Sequence, residues 1–179
     1  MWWFTLLVVA VGFERLAELV VSKRNLRWSL DHGGVETGLG HYPAMVVLHT
    51  GLLAGALAEV WSAHRPFVPA LGWPMLALVL LSQGLRWWCI RTLGPQWNTR
   101  ILVVPGLPRV SGGPYRLLTH PNYVAVVVEG AALPLVHTAW ITAVVFSVLN
   151  AVLLRVRIRA EDRALHALAE PAVAHSPIP

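Results

Sequence analysis

Cysteine is almost missing from this chain of 179 residues: Cys89 stands alone. No disulfide can form within the chain and no cysteine-based zinc site can be built, so Cys89 reads as a small buried hydrophobe. Charge is equally scarce, at 13% of residues against 56% hydrophobic, with a mean hydropathy of +0.59. An ordinary soluble domain and a disordered chain are both excluded by that balance, which is the composition of a polytopic membrane protein. Also missing are a His/Asp/Glu spacing of the zinc-helix type, a serine elbow, a glycine-rich phosphate loop, an internal repeat and a low-complexity tract. The formal net charge of +5 comes from 14 basic and 9 acidic residues. The basic residues flank apolar runs instead of forming one patch, which argues against nucleic acid and for an anionic membrane surface or ligand.

What is present is a series of five apolar segments, predicting an all-α helical bundle with about five transmembrane helices. They run from about Trp2 to Val21, Tyr42 to Ser62, Leu71 to Trp88, Tyr123 to Val136 and Ala139 to Leu154. The first is long enough at 1.5 Å per residue to cross a hydrocarbon core of roughly 30 Å. Its start lacks a basic region and a small-residue cleavage pattern, so it is expected to be a retained span. The fourth reaches only about 21 Å, and the tight link Pro134–Thr138 makes a hairpin of the last two. Lys23, Arg24 and Arg27, then Arg91, Arg100, Arg109 and Arg116, then Arg157, Arg159 and Arg163 fall in alternate connections, against Arg65 alone on the other side. This bias places the N-terminus outside and the C-terminus in the cytoplasm. Trp2, Trp3, Trp61, Trp73, Trp87 and Trp88 at segment ends read as an interfacial belt.

Polar chemistry is concentrated in two places. The cassette from Gly112 to Tyr123 sets Tyr115, His120 and Tyr123 around a Gly-Pro turn and a His120-Pro121 break, at the mouth of the bundle. Such rings and polar tips suit a small-molecule pocket that covers an adenine. Asn150, Arg157 and Glu161 recur at i, i+7 and i+11, which puts them along one helical face. An Arg and a Glu one turn apart can hold a zwitterion, the fork taking a carboxylate and the carboxylate an amine or hydroxyl. Arg155 and Arg159 occupy another face, suited to lipid headgroups. Glu14, Arg15, Glu18 and Glu129 lie in apolar segments, where ionisable groups must find partners in the bundle interior. An Arg15–Glu129 ion pair and a substrate-pocket role are both open for these groups.

These motifs resemble the isoprenylcysteine carboxyl methyltransferase family of integral membrane enzymes. The carrying residues are Gly113-Pro114-Tyr115, Thr119-His120-Pro121-Asn122-Tyr123 and Arg157-Ile158-Arg159-Ala160-Glu161-Asp162, with Thr119 in place of the usual arginine and Asp162 in place of a second glutamate. The likeness covers the half from Leu93 onward. It implies one methyltransferase domain over 1–170, its cofactor half at about 93–170; the ending 171–179 is expected to fray as a flexible tail, as chain termini do. It further implies S-adenosylmethionine as donor at the cytoplasmic mouth, bound by Gln96, Val110, Gly113, Tyr115, His120, Pro121, Tyr123 and Glu161. Arg157, Asn150 and Glu129 would meet the acceptor, with Arg157 and Glu161 catalytic and no metal required. Phe13–Leu19 followed by Ser22-Lys23-Arg24-Asn25 is similar to a bacterial branch that methylates hydroxyls of long-chain alkylpyrones or alkylresorcinols. A lipophilic acceptor entering from the bilayer of a bacterial inner membrane is the resulting expectation, with an isoprenylcysteine carboxylate as the alternative. A nicotinamide-dependent membrane reductase and a non-catalytic lipid-binding protein are the remaining classes.

Overall fold

The computed structural model describes residues 1–169, so the tail expected at 171–179 lies outside the described residues. Five helices carry the chain: α1 (Trp2–Asp31), α2 (Tyr42–Ser62), α3 (Pro69–Leu93), α4 (Pro121–Leu135) and α5 (Trp140–Ala169). Prolines open α2, α3 and α4 in their first turn, where a missing N–H costs nothing. The His120-Pro121 break is thus the start of α4. The α4–α5 turn carries Thr138 at φ 55°, and its side chains are tied down. His137 Nδ1 pairs with the Arg65 carbonyl at 3.0 Å and Thr138 Oγ1 donates to the Pro66 carbonyl at 2.9 Å. This end of the bundle is dry: Phe4, Val8, Val60, Val79, Leu133 and Val136 form its core. Gly130 is what lets α4 approach α5, because a Cβ there would lie 1.9 Å from the Phe146 ring.

The helical architecture is as expected, with one short addition: a two-stranded antiparallel ladder, β1 (Val35–Thr37) with β2 (Ile101–Val103), in the register Glu36↔Leu102. Three-residue strands are too short to show alternation in sequence, and their pairing spans two connections. α1 continues beyond its apolar segment, through the basic run to Asp31, and α5 carries on past Leu154 as one helix, in keeping with the single helical face expected for Asn150, Arg157 and Glu161. Two helical stretches, Tyr42–Ser62 and Trp140–Ala167, are long and apolar enough to cross a membrane by length and composition. α1 and α3 have the length, at 30 and 25 residues, but carry Glu14, Arg15, Glu18 and Arg86 inside it. α4 has only 15 residues, about 22 Å.

Candidate functional site

The site lies at the end of the bundle opposite the dry core, where α1, α2 and α5 meet the segment between α3 and α4. Helical periodicity brings Asn150, Arg157 and Glu161 to the inner face of α5, with Asn150 2% and Arg157 6% exposed. The Arg157 guanidinium is held by neutral groups: Nε donates to the Tyr123 hydroxyl at 2.9 Å, Nη2 to the Thr99 carbonyl at 2.6 Å, and Nη1 lies 3.1 Å from Met45 Sδ. Tyr123 in turn donates to the Glu161 carboxylate. A relay therefore runs Arg157–Tyr123–Glu161, in which the charges meet only through a phenol. No carboxylate among the described residues pairs directly with Arg157. Its field is felt nearby: burial first, and the Arg157 charge second, push His41 below the usual imidazole range.

The cassette packs over this relay. His120 stacks on Tyr123 with centroids 5.4 Å apart, and its Nε2 lies 3.3 Å from Asp162 Oδ1. Asp162 thus supplies a carboxylate to the imidazole at the position where the family pattern has glutamate. Tyr115 reaches down from a single 3₁₀ turn, Gly113–Arg116. Burial, and then the neighbouring Cys89 thiol, push its hydroxyl far above the usual phenol range, so Tyr115 stays a neutral hydrogen-bonding group. Gly113 has φ 53°, and a Cβ there would lie 2.5 Å from Thr92 Oγ1, so only glycine sets this turn against α3.

Two cavities meet at the relay. The larger, about 210 Å³, runs between α1, α2 and α5 past Leu19, Met45, Val46, Leu53, Leu153 and Leu154. The smaller, about 100 Å³, is lined by Gln96, Asn98, Arg100, Tyr115, His120 and Glu161. Trp97, Asn122, Tyr123 and Arg157 line both and form the wall between them. Two atoms of that wall, Trp97 Nε1 and Asn122 Oδ1, are buried without a hydrogen-bond partner. A buried orphan donor and acceptor at a cavity wall are open to a ligand.

Of the residues expected from sequence, Gln96, Tyr115, His120, Tyr123, Glu161 and Arg157 line the polar cavity, and Asn150 joins Arg157 and Tyr123 in the apolar one. Pro121 is fully buried as the first residue of α4, and neither Val110 nor Gly113 lines either cavity. Glu129 is set back, bound by Arg15 Nη2 at 2.8 Å and by Arg86 Nη2. Arg15 also binds Glu18 at 2.6 Å and Gln83 at 2.8 Å, and Arg86 Nε lies 3.3 Å from Glu18 Oε1. Of these, Arg15, Glu18 and Arg86 reach the wall of the apolar cavity. Trp87 is not simply interfacial, since its Nε1 donates to Glu14 at 2.7 Å. Sequence reasoning missed Arg86, Trp97, Asn122, Met45 and His49. A signal existed for Arg86, an arginine within an apolar run facing the same cost as Glu129.

Fold and site together have the layout of a membrane enzyme in which an apolar and a polar cavity share one buried arginine. The model of the isoprenylcysteine carboxyl methyltransferase family matches residues 75–167, just over half of the chain and all of the polar cavity's wall. An uncharacterised protein of Bacillus subtilis (strain 168), YpbQ, is 42% identical over 163 residues, covering 90% of this chain and 96% of its own length. No solved structure matches the chain significantly. The chain belongs to the isoprenylcysteine carboxyl methyltransferase family, a family of membrane-bound methyltransferases that use S-adenosylmethionine.

Proposed function

We propose that this protein transfers a methyl group from S-adenosylmethionine to an oxygen of a lipophilic acceptor, a long-chain alkylpyrone or alkylresorcinol in the first instance. The observation that carries this reading is the shared wall: a guanidinium with no direct carboxylate contact among the described residues stands where a polar and an apolar cavity meet. The donor fits the polar side. Trp97 Nε1 and Asn122 Oδ1 offer an unused donor and acceptor, Gln96 and Tyr115 offer neutral polar tips, His120 offers a ring face, and Glu161 a carboxylate for the amino group. When bound, S-adenosylmethionine supplies an electrophilic methyl on a positive sulfur. Arg157 orients the acceptor oxygen and stabilises its negative charge in a site away from bulk water. A phenol or enol must also lose a proton, and the Tyr123 hydroxyl connects the Arg157 end of the apolar cavity to the Glu161 carboxylate that can take it. The alternative acceptor, an isoprenylcysteine carboxylate, arrives already ionised and needs no such step.

The same reading has five crossings, the N-terminus outside and the donor site facing the cytoplasm of a bacterial inner membrane. It rests on the distribution of arginines and on Trp2, Trp61, Trp73 and Trp140, which are exposed at the dry end of the bundle. With Cys89 replaced, a cysteine at position 64 should react with an impermeant reagent in intact cells and one at position 109 should not; the reverse pattern overturns the topology. Calorimetry of the detergent-purified protein should give saturable binding of S-adenosylhomocysteine, weakened at least tenfold by His120→Ala. NADPH binding without S-adenosylhomocysteine binding would install the reductase reading instead. Labelled methyl transfer to an alkylresorcinol or alkylpyrone, set against a farnesylcysteine analogue, then selects the acceptor. Transfer to the farnesylcysteine analogue alone replaces the polyketide acceptor by the carboxylate.

A further inference from the structure

The apolar cavity has a second polar pole that the methyl transfer does not use. Asn150 is 2% exposed and lines the cavity. Its Oδ1 is buried without a hydrogen-bond partner. Leaving a buried acceptor unpaired costs on the order of 1–3 kcal/mol, so this oxygen calls for a donor. His49 lines the same cavity from α2, and its Phe146 contact (ring centroids 5.5 Å apart) is made one turn before Asn150 on α5. The His49 Nδ1 is taken by the Met45 carbonyl at 2.9 Å. That contact makes Nδ1 the donor, since a carbonyl can only accept, and leaves Nε2 as a free lone pair in the neutral ring. Met45, which touches Arg157, lies one turn from His49 toward the relay. Seven residues separate Asn150 from Arg157, which is about 10 Å along the helix. The second pole is therefore a separate subsite, roughly two helical turns deeper in the cavity.

The charge around it decides what it takes. Arg15 and Arg86 face Glu18 and Glu129 in mutual pairs, with Glu14 3.9 Å from Arg15. At this pole, two cations against three carboxylates leave no excess positive charge to attract an anion. Asn150 Oδ1 and the His49 lone pair are both acceptors, so they suit a neutral donor, and a hydroxyl is the smallest such group. We infer that Asn150 and His49 form a hydroxyl-reading subsite, so that the acceptor is an amphiphile carrying a second neutral polar group about 10 Å from the oxygen at Arg157, not a plain hydrocarbon tail.

This inference rests on the acceptor occupying the apolar cavity, as in the proposed function, yet it is read without turnover. The probes are an alkylresorcinol with an unsubstituted chain and matched analogues with one hydroxyl walked along the chain. Their binding to the detergent-purified full chain is measured by calorimetry with no donor present. Wild type should bind the best hydroxylated analogue about tenfold more tightly than the plain chain, the worth of one good hydrogen bond. Asn150→Leu, with the same branching and number of side-chain heavy atoms, should erase that preference while retaining S-adenosylhomocysteine binding. Should Asn150→Leu fold poorly, His49→Phe keeps the ring against Phe146 and should reduce the preference on its own. Equal binding of plain and hydroxylated chains by wild type, or a preference that survives both substitutions, overturns the subsite. Loss of S-adenosylhomocysteine binding in wild type overturns the methyltransferase reading and leaves the chain-hydroxyl comparison to stand or fall by itself.

Discussion

Two arginines are buried in this bundle to nearly the same extent, Arg86 at 5% and Arg157 at 6% exposure, and they are solvated in opposite ways. Arg86 lies against the carboxylates of Glu18 and Glu129, and Arg15 closes the same group from α1. Arg157 is satisfied by a phenol, a peptide carbonyl and a thioether. Both arrangements meet the hydrogen-bonding requirement of a buried guanidinium, but only the first neutralises it. The Arg86 cluster is a cross-link between α1, α3 and α4 with its field largely cancelled. Arg157 keeps a positive field directed into the wall between two cavities, where an anionic oxygen would be stabilised. Burial alone does not tell the two arginines apart; the charge of their partners does.

The largest effect should come from breaking the neutralised cluster. Glu129→Ala removes one of the two carboxylates that Arg15 and Arg86 share, leaving Glu18, and removing one partner of a buried ion pair typically costs about 3–5 kcal/mol. Unfolding followed in detergent should show a correspondingly lower midpoint, or no folded protein. Replacing the unit by apolar residues of similar size, as in Arg86→Met with Glu129→Leu, should recover part of that loss, because the uncompensated charge goes with it. Undiminished stability in Glu129→Ala would mean that Arg15 and Arg86 reach other partners and that the cluster is no cross-link.

Arg157 should respond the other way. Arg157→Ala removes a charge that no carboxylate neutralises directly, so the folded state should lose less than in Glu129→Ala. Methyl transfer should fall by about 10²–10³, the usual cost of deleting one group that stabilises a developing oxyanion. Arg157→Lys keeps the charge but loses the fork to Tyr123 and Thr99, and should lower kcat more than it weakens S-adenosylhomocysteine binding. An equal loss in donor affinity would move Arg157 into the donor site and undo its assignment to the acceptor.

The contrast between these arginines was only half legible in the sequence. Asn150, Arg157 and Glu161 could be aligned because helical spacing is local, and the His120-Pro121 start of α4 could be read because proline acts on its own neighbours. The Arg15–Glu129 pair was one of two readings that the cost of intramembrane charge left open. That cost says a partner exists, not which one, and so Arg86 escaped notice. The Arg157 partners were out of reach for a related reason. Thr99 binds through its carbonyl and Met45 through its sulfur, and neither residue type announces such a role. The shared wall depends on Trp97, from the connection between α3 and α4, meeting Asn122, from the first turn of α4, which no periodicity encodes.

The smallest effect sharpens the same comparison from the surface. Arg100 donates to Glu36 at 2.9 Å across the β1–β2 ladder, with side chains 35% and 20% exposed. This is the same chemistry as Arg15–Glu129, at the mouth of the bundle instead of its interior. Water screens the pair and the desolvation cost of either partner is small, so Glu36→Gln should cost no more than about 1 kcal/mol. The difference between wild type and variant should also shrink as salt is raised, since exposed pairs are screened within about 10 Å at 0.1 M. Glu129→Ala should show no such convergence, because its charges are out of reach of counterions. Arg100 also lines the polar cavity and lies 4.9 Å from the Tyr42 ring centroid, so its freed side chain remains anchored by cation–π contact. A salt-insensitive loss of several kcal/mol in Glu36→Gln would show that the ladder is a structural lid on the polar cavity, and that the line between neutralised and unspent arginines must be drawn to include Arg100.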